Sequence, residues 1–161
     1  MALVRCTRRR YVGVVRPEDA SRLPEVTAAL AALPEVRLAY LFGSRASGRV
    51  RRESDWDVAV LVDDDAVASP ERWWGTFRRL ASAIRLEPAD IVLLNQAGVV
   101  LRQRVVRDGV LIFERTPEER PRFARHTIRA YQDGAHRRAF WRNVQLERAR
   151  AFLARDGAPR G

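Results

Sequence analysis

Lysine is absent from this sequence, cysteine and methionine occur once each, and no long apolar run is present. Because Cys6 is the only cysteine, an internal disulfide and a CxxC metal cluster are both excluded. A reducing, cytoplasmic setting fits. The longest apolar stretches are short ones such as VAVLV and IVLL, far below the roughly 20 residues that a bilayer-crossing helix requires, so no membrane association is expected. The N-terminal MALVRCTRRRYVGVV is basic but lacks an extended apolar core followed by a small-residue cleavage site, which argues against a signal peptide. All thirty basic residues are arginine; since Lys and Arg both deliver charge, that choice is not read as a motif.

What is present suffices for one ordinary domain: 161 residues, 47% of them hydrophobic. Thirty basic against twenty acidic residues leave a formal charge of +10, a field that attracts phosphates, nucleotides, nucleic acid or an acidic protein. No DNA- or RNA-binding module is recognisable, so direct nucleic-acid binding is not expected.

Residues 1–17 read as an arginine-rich arm or an added edge strand. From Pro17 to Pro34 the spacing of Leu23, Val26, Leu30 and Leu33 predicts one amphipathic helix. VRLAYLFG then reads as a buried strand, SRASGRVRRES as a polar connection with room for one helical turn, and DVAVLVD as a central strand covered on both faces. Ser69-Pro70 opens a helix over SPERWWGTFRRLASAIRLE, and ADIVLLN is a third strand. A short helix stopping at Asp108-Gly109 leads into an extended VLIFER. A long helical tail follows, with Ile128, Tyr131, Ala135, Ala139, Phe140 and Val144 on its packing stripe and Gly134 placed to kink or divide it. His126 and His136 read as surface residues, and Trp73 and Trp74 as one buried and one partly exposed aromatic.

The acids before VAVLV carry the chemistry. Residues i and i+2 of a strand share a side, so Asp55 and Asp57 can present their carboxylates together while Trp56 points away. Two like charges held close need a positive offset, either arginine or a hard divalent cation such as Mg²⁺, which carboxylates hold together with substrate phosphates. Gly43 and Ser44, at the end of the preceding strand, are a candidate phosphate cradle. Asp90, opening ADIVLLN, is the candidate third acid, as a metal ligand or a general base. Arg45 is a candidate phosphate contact or an orienting group for a carboxylate, with plain surface exposure as the alternative.

The pattern of Gly43-Ser44, residues 45–54, then Asp55-x-Asp57, with Asp90 later, resembles the minimal nucleotidyltransferase (MNT) proteins of the DNA polymerase β-like superfamily. The likeness extends over residues 18–116. It implies an α/β fold, a small mixed β-sheet with flanking helices, followed by a C-terminal helical extension over 117–161. It also implies that Gly43, Ser44 and Arg45 bind nucleotide, that Asp55, Asp57 and Asp90 bind Mg²⁺, and that AMP is transferred from ATP. Many small MNT proteins are antitoxins of HEPN-domain ribonuclease toxins, and some add AMP to a toxin tyrosine; that is the expected activity and partner. The alternatives are an antitoxin that acts by binding alone and a stand-alone enzyme modifying a small hydroxylated compound such as an aminoglycoside.

Overall fold

The computed structural model describes residues 17–46 and 55–156. The expected N-terminal arm, Cys6, Gly48 and most of the arginine-rich connection lie outside the described residues.

The chain begins with two short helices, α1 (Pro17–Ala20) and α2 (Leu23–Ala31), instead of the single helix that the spacing predicts. Pro24 is the cause. It sits in the first turn of α2, where its missing N–H costs nothing, whereas inside a continuous helix its ring would strike the carbonyl of residue 20. The expected stripe still packs: Val26 and Leu30 are buried, with Leu23 and Leu33 against the same cluster.

Strand β1 (Val36–Phe42) leads into a single helical turn, α3 (Gly43–Ala46), and β2 (Trp56–Val62) follows residues 47–54. A 3₁₀ turn over Asp64–Val67 hands the chain to α4 (Pro70–Ile84). Ser69 caps α4 by accepting a hydrogen bond from the Arg72 N–H (3.3 Å), Pro70 fills the first turn, and Arg85, at φ 42°, closes the end in the left-handed region. The remaining elements are β3 (Ala89–Leu93), α5 (Val99–Asp108), β4 (Val110–Glu114), α6 (Glu119–Asp133) and α7 (Ala135–Asp156). Gly109 ends α5 in extended backbone, at φ −75°. It is glycine because a Cβ there would lie 2.4 Å from the Val105 carbonyl oxygen.

The four described strands form one mixed sheet in the order β3-β2-β1-β4, with β1 antiparallel to β2 and β4 and β2 parallel to β3. Strand polarity decides where the site falls. β1 ends, and β2 and β3 both begin, at the same end of the sheet, because α4 carries the chain back before β3 starts. Alternation divides the core into two layers. Val58, Val60 and Val62 face Val26, Leu30, Leu80 and Ile84 of α2 and α4, while Leu38, Tyr40 and Ala59 face Val105 and Phe123 of α5 and α6. Tyr40 is buried deeply enough for desolvation to push its phenol up to about 12. At the far end of β2 the Asn95 side chain imitates a strand backbone: it accepts from the Val62 N–H (3.1 Å) and donates to the Val62 carbonyl (2.9 Å).

The helical tail packs by a different stripe from the expected one. Phe123, Thr127 and Gly134 are buried, whereas Ile128 and Phe140 are exposed. Gly134 ends α6, so the periodicity read through it does not belong to one helix. Arg138 folds back over this junction, its guanidinium 3.8 Å above the Tyr131 ring and hydrogen-bonded to the Tyr131 carbonyl. His126 and His136 are exposed, as expected; Trp73 is half-buried and Trp74 exposed, each further out than the buried and partly exposed rings expected.

Candidate active site

The residues singled out by spacing meet at the sheet end where β1 stops and β2 and β3 start. Asp57 is the Cα partner of Asp90 across the parallel β2–β3 pair, and of Phe42 across the antiparallel β1–β2 pair. Register thus places Asp57 and Asp90 side by side on one face. Asp55 is exposed and directly precedes β2.

Gly43 supplies the bend that lets β1 turn away at this point. Its φ is +70°, a region that L side chains rarely occupy, and a Cβ at this position would fall 2.0 Å from Oδ2 of Asp57. The turn backbone therefore lies directly against the acid. The next main-chain N–H, that of Ser44, hydrogen-bonds to Asp57.

Burial is the largest influence on Asp57 and pushes its carboxyl above the usual range; the charges of Asp90 and then Asp55 push the same way, against the Ser44 N–H and Arg45. Both burial and neighbouring negative charge therefore disfavour the ionised form of Asp57. The donor set is entirely carboxylate oxygen, which suits a hard divalent cation. Among the described residues, no three His, Cys, Asp or Glu side chains are gathered closely enough to enclose an ion as they stand.

Arg45 makes its contacts close to the acids. Its Nη1 pairs with Oδ1 of Asp19 at 2.5 Å, its Nε donates to the Asp55 carbonyl at 3.2 Å, and its guanidinium stacks 4.4 Å from the centre of the Trp56 ring. Asp19 and Trp56 were not recognised from sequence as parts of the site. Asp19 is one acid in a short polar helix, 26 residues upstream of Arg45, and no local pattern marks it as buried.

A small mixed sheet that brings three carboxylates and a Gly-Ser turn to one end is the frame of a phosphate-transferring enzyme. The family described as "Polymerase beta, Nucleotidyltransferase" matches residues 25–118, more than half the chain, and the protein belongs to it. It is similar to the protein adenylyltransferase MntA of Shewanella oneidensis, with 39% identity over 102 residues covering 62% of this chain and 69% of the relative. Among solved structures it resembles a toxin-antitoxin complex with AMP-PNP (34% identity, TM-score 0.61, 76% of this chain and 98% of the other). It also resembles the MNT antitoxin bound to a tri-AMPylated HEPN toxin of S. oneidensis (31% identity, TM-score 0.57, 78% and 98%). No helix among the described residues is long and apolar enough to cross a membrane.

Proposed function

We propose that this protein is a Mg²⁺-dependent adenylyltransferase antitoxin of the cytoplasm, which transfers AMP from ATP to a tyrosine hydroxyl of a cognate HEPN ribonuclease toxin. The observation that carries this reading is the side-by-side register of Asp57 and Asp90 beside the Gly43-Ser44 turn. It is joined to relatives named for protein adenylylation and for complexes with a nucleotide analogue and an AMPylated toxin. Residues 18–116 would serve as the transferase domain and 117–161 as its C-terminal extension, helical over α6 and α7.

Asp55, Asp57 and Asp90 are the residues that would hold Mg²⁺, which, when bound, offsets the charge of the triphosphate and of the departing pyrophosphate. This chain's own part is mainly alignment. The bond between the tyrosine oxygen and the α-phosphorus forms as the α–β anhydride bond breaks, so the hydroxyl must lie in line with the leaving group. Asp90, the more exposed acid of the facing pair, would in the alternative role leave the ion to Asp55 and Asp57 and receive the hydroxyl proton. Gly43 lets the turn pack directly against Asp57, and the Ser44 N–H hydrogen-bonds to that carboxylate.

The test is incubation of the purified protein with ATP labelled on its α-phosphate, Mg²⁺ and the HEPN protein encoded beside it. Label should appear on a toxin tyrosine with release of pyrophosphate, and both should vanish in Asp57→Asn and Asp90→Asn. An absence of label with the wild-type protein at every metal and nucleotide concentration tried would refute the catalytic reading.

A further inference from the structure

Arg45, a nucleotide contact by the family resemblance, forms a largely buried pair with Asp19, which has no assigned part in the reaction. Their side chains are 13% and 4% exposed, and Asp19 Oδ2 is buried with no hydrogen-bond partner among the described residues. Burying a carboxylate with half its acceptors unmet is costly, so a pair this enclosed calls for a reason beyond surface charge. The geometry offers one. The Arg45 guanidinium does three things at once: it pairs with Asp19, it stacks on the buried Trp56 ring, and it donates to the Asp55 carbonyl.

The Asp55 carbonyl and the Trp56 N–H are two ends of one peptide group. The carbonyl accepts from Arg45, and the N–H donates to the Pro88 carbonyl at 2.8 Å. Pro88 lies two residues before Asp90. One peptide plane therefore ties the acid ahead of β2 to the chain leading into the acid of β3, and Arg45 holds its other side. Asp55 itself is exposed and outside the strand ladder, so its placement depends on this plane.

We propose that Arg45 is a positioning residue, clamped by Asp19 of α1, which sets the peptide carrying Asp55 so that this acid stands at the sheet end beside Asp57 and Asp90, where a divalent cation held also by substrate phosphate would draw on it. The role rests on the transferase reading above and makes α1 part of the active-site frame. Only arginine can make all three contacts, because its planar fork both stacks and donates in two directions, while lysine offers a point charge. Outer partners that orient metal ligands typically contribute about ten- to a hundredfold in metal affinity or rate.

The experiment compares Arg45→Met, Arg45→Lys, Asp19→Asn and the double variant Asp19→Asn/Arg45→Met with the wild-type protein. Mn²⁺ affinity is read from its paramagnetic resonance signal, ATP affinity calorimetrically at saturating Mg²⁺ without toxin, and kcat by label transfer. The expected result is that Arg45→Met and Asp19→Asn each weaken Mn²⁺ binding and lower kcat by about ten- to a hundredfold. ATP affinity stays within about twofold, and the double variant is no worse than the worse single one. A loss of ATP affinity in Arg45→Met but not in Asp19→Asn would make Arg45 a phosphate contact and overturn the proposal. Wild-type Mn²⁺ affinity in both, with only a lowered Tm, would reduce the pair to a structural bridge and overturn it too. Should Arg45→Met fail to fold, Arg45→Lys and Asp19→Asn carry the comparison. A protein that shows the Mn²⁺ losses yet transfers no label would sustain the clamp and sink the transferase reading.

Discussion

Replacing Gly43 with alanine tests the site at its tightest point. The backbone at this residue has φ +70°, which costs an L side chain about 1–2 kcal/mol. The added methyl would also sit 2.0 Å from Oδ2, 2.7 Å from Cγ and 3.2 Å from Cβ of Asp57. Ordinary contact begins at 3.4 Å, so the carboxylate or the turn must retreat by about 1.4 Å. A misplacement of about 1 Å at a reacting centre can lower rate by about a hundredfold, and a kcal/mol shifts Tm by roughly 2–4 °C in a chain of this size. Gly43→Ala should therefore lose about two orders of magnitude in label transfer while Tm falls by only about 2–8 °C. Gly75→Ala is the matched control. Its Cβ would meet only the end of the Arg79 side chain, at 3.6 Å, and alanine in mid-helix is favoured by about 0.5–1 kcal/mol, so stability should rise with activity intact. If Gly43→Ala transferred label within about threefold of wild type at an unchanged Tm, the close packing of turn against acid would have no catalytic meaning.

Asp57→Asn should abolish transfer and raise Tm at neutral pH in metal-free buffer. Because the folded state holds the Asp57 proton more tightly than the unfolded state does, stability is lost as pH rises from the ordinary carboxylate range through the raised value. The gain from asparagine should accordingly fade as pH is lowered into the acid range, and a gain that persisted there would contradict the assignment. Mg²⁺ added to the wild-type protein should raise Tm with concentration, by about 2.7 kcal/mol of stability at a hundredfold excess over Kd, and Asp57→Asn should respond far less. Equal responses would place the ion elsewhere. Asn95→Ala removes both side-chain bonds to Val62 at the sheet end remote from the acids, and each unpaired group costs about 1–3 kcal/mol. Thermal melts should show the loss while label transfer at room temperature is retained; an unchanged Tm would mean that water replaces the amide at no cost.

Strands were legible in the sequence because each is a short apolar run closed by punctuation. VRLAYLF stops at Gly43, WDVAVLV stops at the Asp63–Asp65 run, ADIVL starts directly after Pro88, and each became a strand of the sheet. The helical segments were less transparent. Periodicity found the buried positions of α2 but passed over Pro24, whose meaning depends on whether it opens a helix or interrupts one. The tail failed for a related reason: Gly134 divides it, so a stripe drawn across the glycine mixes two helices with different surroundings. At the site, Gly43, Ser44, Asp55 and Asp57 stand close enough in sequence for spacing to group them. Asp90 needed the further inference that ADIVLLN pairs with DVAVLVD, and the parallel register bears that pairing out. Asp19 could not be found by such means. Its partner, its burial and its link to Asp55 exist only once α1 has been carried to the end of β1.

That three acids stay together without collapsing the fold follows from what lies behind them. Val58 and Ala59, the next residues of β2, are fully buried, and Trp56 is nearly so, with one core layer on each face of the strand. A retreat of Asp57 along or out of the sheet would drag apolar side chains into water at about 25 cal/mol per Å² exposed, so the backbone yields less readily than the carboxylates do. Burial first, and then the charges of Asp90 and Asp55, therefore appear as a raised proton affinity at Asp57 instead of a displaced strand. It is strain of a kind that a cation can relieve and a hydrophobic substitution cannot reproduce. Placing it on the rigid end of a buried strand, next to a glycine that forbids any thicker backbone, turns the stability of the core into the preorganisation that phosphoryl chemistry requires.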